Sequence, residues 1–275
     1  MAAYNVVSAE AENKRLEIGV SVIRAYMDGK SCLAPIDTGR SNLRVLDSAA
    51  SNGAWLSQLQ ASLQDPGSAT LIGTDIQDRF PDPPHPGITL QIQDITEPWP
   101  ESWRSSFDFV HQTLVIYQAG PKLRKVLGAL TELVKPGGWI ELMEPQYGFG
   151  DDGGPAYKQF GAMVNELWDL RGTKSDFASD LEPFLKDAGF VDVKTVVLSV
   201  GVGPKAKSPD IADITVQSMI GGGKNIPLAA KRIPGGFKCI SSEDLETWPT
   251  RLEEELKTEG AVTKMLVVYG RKPDV

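Results

Sequence analysis

Between Leu43 and Glu144, short apolar runs of strand length alternate with stretches of helical spacing, and this alternation leaves few folds open to the chain. Residues 43–46 form a strand-type run, residues 47–53 are small and polar, and a helical pattern starts at Ala54 with Leu56, Leu59 and Leu63 on one side. Residues 69–73 give a second strand closing on Thr74 and Asp75. A Pro- and Asp-rich loop, residues 78–87, then stands where a long helix is expected, before a third strand at residues 88–92. Residues 107–111 read as a fourth strand, 122–134 as an amphipathic helix, Pro136-Gly137-Gly138 as a turn and 139–143 as a fifth strand. Strands that alternate with helices pair in parallel, which predicts an α/β fold with a doubly wound, mostly parallel sheet.

Flanking segments elaborate this core. Leu16, Val20, Ile23 and Met27 lie on one helical stripe that Asp28-Gly29-Lys30 ends. After Tyr147 the pattern predicts helices over 156–170 and 179–188, a strand over 191–200 and a last strand over 265–269. Residues 201–260 read as an insertion with Gly221-Gly222-Gly223 and Gly235-Gly236 as punctuation and a charged helix over 243–257. The expected organisation is one domain, 1–275. It comprises an N-terminal helical cap (1–42), a ligand-binding core (43–147) and a C-terminal part (148–275) whose insertion, about 201–260, serves as a substrate lid.

Composition narrows the partners. A formal charge of −8 and a pI near 4.9 oppose direct binding to nucleic acid or to an anionic membrane, which call for clustered Lys and Arg, and favour a small-molecule substrate. Cys32 and Cys239 are the only cysteines and lie far apart, so neither a disulfide framework nor a metal site is expected. The N-terminus has no signal-peptide pattern, and no apolar run is long enough to span a bilayer, so the expectation is a soluble, cytoplasmic protein.

In a doubly wound sheet, ligands sit where loops leave the carboxyl ends of the strands. Asp47 follows the first strand, with Ser48 next to it. Asp75, with Ile76 beside it, ends the second at a distance from the polar loop that suits a carboxylate accepting from a ribose diol. Asp94 and Ile95 follow the third strand, as an acceptor for an adenine amino group and a ring packing partner. His111 and Gln112 follow the fourth, and Glu144, Gln146 and Tyr147 the fifth. Trp55 opens the helix beside the polar loop. His85 sits among prolines and reads as a solvated loop residue.

Three segments carry a family resemblance: Gly73-Thr74-Asp75, Phe107-Asp108-Phe109-Val110-His111, and Val134-Lys135-Pro136-Gly137-Gly138-Trp139-Ile140-Glu141. With them the chain resembles the class I S-adenosylmethionine-dependent methyltransferases, more narrowly the fungal LaeA-like branch of secondary metabolism. The upstream residues 13–35 are similar to that branch's N-terminal helix, which closes over the cofactor. The resemblance implies a Rossmann-like sheet of seven strands and S-adenosylmethionine as cofactor. It implies a cofactor site of Asp47, Ser48, Ala49, Gly53, Trp55, Asp75, Ile76, Asp94, Ile95 and Gln112, with His111, Glu144 and Tyr147 as catalytic or acceptor-side residues.

One motif departs from the family pattern. Asp-x-Gly-x-Gly-x-Gly is replaced by Asp47-Ser48-Ala49-Ala50-Ser51-Asn52-Gly53, which puts side chains at Ala49 and Ser51 where the methionine moiety is expected to lie. This departure and the insertion at about 201–260 keep open a cyclase or pericyclase on the same scaffold, relying on Gln112, Tyr117 and Tyr147; the resemblance itself leaves open a LaeA-like regulatory protein acting through partners.

Overall fold

The computed structural model describes residues 9–78, 80–81 and 85–274. Part of the expected Pro-rich loop, residue 79 and residues 82–84, therefore lies outside the described residues. In chain order the elements are α1 (Ala9–Tyr26), β1 (Arg44–Ser48), α2 (Ala54–Gln60), β2 (Thr70–Asp75), β3 (Ile88–Ile92), β4 (Phe107–Thr113), α3 (Leu123–Leu133) and β5 (Val134–Pro145). They continue as α4 (Pro155–Leu170), α5 (Leu181–Asp187), β6 (Val191–Val202), α6 (Ala212–Gly223), α7 (Ile226–Ala230), α8 (Ser242–Thr258) and β7 (Ala261–Arg271).

Seven strands form one sheet in the order β3-β2-β1-β4-β5-β7-β6. β3, β2, β1, β4 and β5 run parallel, and β7 is antiparallel to β5. The chain builds outward from β1 to β3, then crosses back to place β4 on the other side of β1. The boundary between β1 and β4 is therefore the switch point where neighbouring loops diverge and leave a crevice.

The described residues pack as two compact units: those within 27–147, 171–198 and 265–274 form one, and those within 9–26, 148–170 and 199–264 the other. The first has its core along the central strands, where Val45, Leu46, Phe107, Phe109, Val110 and Ile140 are all fully buried. Such continuous apolar runs are what a parallel strand covered on both faces requires.

In the second unit Tyr157, Phe160, Met163, Val216, Trp248, Leu252 and Leu256 form the apolar cluster. Its order depends on one carboxylate: Glu255 accepts from the N–H groups of Ala156 (2.8 Å) and Tyr157 (2.9 Å) at the start of α4, where Gly153-Gly154 supplies no capping oxygen. Gly154 is required there, because a Cβ would lie 2.5 Å from the Glu255 carboxyl carbon.

Two sequence expectations are corrected. Gly221-Gly222-Gly223 does not punctuate a loop but forms the end of α6, where a Cβ on Gly221 would meet Arg15 of α1 at 2.5 Å; close helix approach, not a turn, requires that glycine. Pro136-Gly137-Gly138 lies inside β5 rather than before it. The left-handed Gly137 (φ 75°) accompanies a register shift against Phe107 and Phe109, and Gly138 passes within 3.0 Å of three carbonyl oxygens as its Cβ would be placed.

Gly73 sets how closely β2 approaches the loop that leaves β1. A Cβ there would fall 2.5 Å from Leu90 and 2.9 Å from the Ala50 Cβ, so β2 lies directly under that loop. Gly73→Ala is expected to cost about 1–3 kcal/mol, as a lowered urea midpoint at unchanged m-value.

Candidate active site

Parallel register draws a straight row across the first unit: Leu90, Gly73, Asp47, His111, Glu141 and Tyr269 are successive cross-strand partners from β3 to β7. Alternation along the strands then puts Asp47, His111 and Glu141 on one face, and Ser48 and Gln112, one residue later, on the other. On the first face the His111 Nδ1 and the Asp47 carboxylate are 2.8 Å apart, and the Nε2 lies 3.0 Å from the Thr113 hydroxyl. The Trp55 indole covers the imidazole in a parallel stack, with centroids 3.7 Å apart and planes 4° from parallel. On the opposite face Gln112 Nε2 donates to the Ser48 hydroxyl at 2.8 Å.

This packing encloses His111: it is 2% exposed, and both ring nitrogens have partners. Burial pushes the Asp47 and Glu141 carboxyls upward, with His111 pulling both the other way. Gln112 and Ser48 are equally buried.

The loop that leaves β1 is left-handed at three alternate positions. Ala49 (φ 63°), Ser51 (φ 51°) and Gly53 (φ 79°) occupy the three positions where the family pattern has glycine, and all three are left-handed. That conformation costs a residue with a Cβ about 1 kcal/mol, so two such residues two apart are held there by their surroundings. The restraints are visible: Ala50 N–H donates to the Thr74 carbonyl (2.7 Å), Ser51 N–H to Asp75 Oδ2 (3.0 Å) and Gly53 N–H to the Ala50 carbonyl (2.9 Å).

Asp75 also accepts from Gln77 N–H through its other oxygen at 3.0 Å, so it links the end of β2 to the loop while staying half-buried. Asp94 Oδ1 accepts from the Thr96 backbone and hydroxyl, a turn of its own making, with Ile95 buried beside it. His85, expected in solvent, is half-buried, and a Cβ on Gly53 would come within 3.5 Å of its ring.

Glu144 ends β5 and is buried. Its Oε1 accepts from the N–H groups of Val115 (2.8 Å) and Ile116 (2.7 Å), while Oε2 has no hydrogen-bond partner among the described residues. Burial pushes this carboxyl up to about 8, against the lowering effect of the two N–H donors. It thereby staples the segment after β4 to β5, and Leu114 N–H adds a third tie to the Met143 carbonyl at 2.9 Å. Leu114 itself is left-handed (φ 57°) and 43% exposed. With Ile76, Ile92 and the 63%-exposed Tyr147 it forms a set of exposed apolar side chains at the carboxyl ends of β2 to β5. Large apolar groups left in water along a ligand-binding edge mark a contact surface.

Among the described residues no group of three or more His, Cys, Asp or Glu is arranged to hold a metal ion, and no helix is long and apolar enough to cross a membrane. Leu114 sits in no sequence motif, whereas Glu141 ends the motif at residues 134–141 and residues 31–34 lie in the upstream segment 13–35, so their only sequence signal is the family resemblance.

Stability should carry the signature of the raised carboxyls. The folded state holds a proton on Glu144 between pH ~4.5 and ~8 that the unfolded chain has released, so stability falls as pH rises through that window. Glu144→Gln keeps an acceptor for Val115 and Ile116 but does not titrate. Urea midpoints measured across the window should fall less steeply in that variant, and a residual slope is expected from Asp47 and Glu141, which shift in the same direction.

Comparison with known proteins agrees with this architecture. A methyltransferase domain family model matches residues 21–195. N-methyltransferase gliN of Aspergillus fumigatus is 32% identical, with 96% of this chain and 94% of that protein covered. N-methyltransferase tcpN of Claviceps purpurea is 33% identical over 96% and 95% of the two chains. Among solved structures, Haemonchus contortus phosphoethanolamine N-methyltransferase 2 in complex with S-adenosyl-L-methionine superposes with a TM-score of 0.52 at 16% identity, over 95% of this chain and 52% of that one. A SAM-dependent methyltransferase from Archaeoglobus fulgidus gives 0.51 at 16%, over 94% of both chains. The chain therefore belongs to the methyltransferase domain family and is an enzyme built on the class I methyltransferase fold.

Proposed function

We propose that this protein transfers a methyl group from S-adenosylmethionine to a nitrogen of an uncharged or cationic small molecule with an apolar body. The observation that carries the cofactor half is the left-handed backbone at Ala49, Ser51 and Gly53, which keeps the path of a glycine loop although two of the three positions have side chains. In this reading the loop lies along the methionine end and Asp75 accepts from the ribose hydroxyls with the lone pairs not used by Ser51 and Gln77. Ile76 and Ile95 flank the adenine, and Asp94 accepts from its amino group. The cofactor supplies an electrophilic methyl on a sulfonium.

Choice of acceptor atom depends on what the sheet edge offers. His111 is enclosed by Asp47, Thr113 and Trp55, and burial favours the protonated form of Glu144, so neither is presented as a general base. They act instead as positioning groups: His111 holds Asp47 and Trp55 at the two ends of the loop, and Glu144 fixes the Leu114 backbone. A hydroxyl acceptor needs a base to become nucleophilic, whereas an amine already has its lone pair and needs only near-attack placement, losing its proton to water afterwards. The gliN and tcpN relatives, both N-methyltransferases by name, support nitrogen as well. Leu114 and Tyr147 supply an apolar and aromatic surface for the acceptor body.

The cyclase alternative draws on the two lost glycines and on the insertion at about 201–260; the left-handed backbone at Ala49 and Ser51 favours the cofactor reading over it. Matched aromatic acceptors carrying an amine, an amide or a hydroxyl, assayed by S-adenosylhomocysteine release, should be turned over in favour of nitrogen; equal or better turnover of the hydroxyl would refute the assignment. Asp75→Ala should raise KM for S-adenosylmethionine about 10- to 100-fold, the equivalent of one or two charge-assisted hydrogen bonds, with a smaller change in kcat.

A further inference from the structure

The segment between α1 and β1 makes contacts that methyl transfer itself does not use. Within the first unit, the Leu33 and Ala34 N–H groups both donate to Glu141 Oε2, at 2.7 Å and 2.6 Å. The Trp55 indole N–H donates to the Ser31 carbonyl at 2.8 Å. Three hydrogen bonds thus pin Ser31, Leu33 and Ala34 within the segment 31–34. Pro35 follows, offering no N–H of its own.

The two anchors bracket the loop. Trp55 is the second residue after Gly53, where the loop ends. Glu141 stands two strands along the same row from Asp47, where the loop begins. His111 joins them, partnered to Asp47, opposite Glu141 in register and stacked under Trp55. A buried carboxyl on a sheet strand is costly to keep, and Glu141 is fully buried with Oε1 lacking a hydrogen-bond partner among the described residues. Core packing alone would be served better by an apolar residue at this position.

We infer that Glu141 and Trp55 are positioning residues for the cofactor, fixing the strap 31–34 beside the loop 49–53 in the arrangement that retains S-adenosylmethionine. The inference rests on the proposed cofactor site, adds Glu141 to it, and gives Trp55, already expected there, a role through the strap backbone. Asp28 (φ 54°) and Gly29 (φ 80°) precede the strap as consecutive left-handed residues, and the exposed Lys30 offers a cleavable bond at its entrance.

The test measures S-adenosylhomocysteine binding together with trypsin cleavage after Lys30, read by mass spectrometry as the fragment beginning at Ser31. In the wild type the ligand should bind and slow that cleavage. Glu141→Ala, and Trp55→Phe, which keeps an aromatic ring over His111 but removes the donor to Ser31, should each weaken binding about tenfold and abolish the protection. Their KM for S-adenosylmethionine should rise with kcat nearly unchanged. Glu141→Gln retains a carbonyl acceptor for Leu33 and Ala34 and should restore most of the affinity. If the wild type binds and both variants bind and protect equally well, the strap role is refuted while the cofactor site stands. Absence of binding by the wild type would overturn both. Should Glu141→Ala fail to fold, Trp55→Phe and Glu141→Gln decide the matter.

Discussion

The register between β1, β4 and β5 is the constraint on which the rest of the first unit depends. It sets Asp47, His111 and Glu141 side by side, so that the imidazole partners one carboxyl and faces the other under the Trp55 indole. A slip of one residue in β4 would bring Gln112 or Val110 to the place of His111 and leave no imidazole between the two buried carboxyls. Because Trp55 belongs to the first turn of α2, the same row fixes where the helix starts, and with it the end of the loop that leaves β1.

The loop shows how a left-handed backbone path is held without glycine at every position. Glycine is favoured at three of its positions because they are left-handed, but conformation and residue type are separable when neighbouring hydrogen bonds hold the backbone. Thr74 and Asp75 at the end of β2 supply them, and Gly73 lets β2 approach closely enough to do so. The strain of Ala49 and Ser51 is carried by the sheet, as is that of Leu114 by Glu144 and Met143.

What sequence can reveal depends on the range of the interactions involved. The strand, loop and helix order of the core is legible because it is written in local periodicity. Asp75 and Asp94 are legible because a strand end is a local landmark. The settings of His111 and Glu144 are not: both stand at strand ends in sequence, but burial is decided by partners 64 and 28 or 29 residues away. Glu141 is visible only as part of the family motif, because nothing near it in sequence announces a bond to Leu33, 108 positions earlier. Gly221 of the α6 glycine run misleads for the same reason, since what crowds it is Arg15 on another helix.

The central claim is that the loop 49–53 already has the conformation that the cofactor requires. Titration calorimetry with S-adenosylmethionine, comparing the wild type with the Ala49→Gly/Ser51→Gly double variant, tests it directly. The account predicts saturable binding by both proteins, with affinities within about threefold, because glycine would adopt the path the loop already takes. No binding by the wild type, with binding gained by the double variant, would show that the two side chains block the site and would contradict the account.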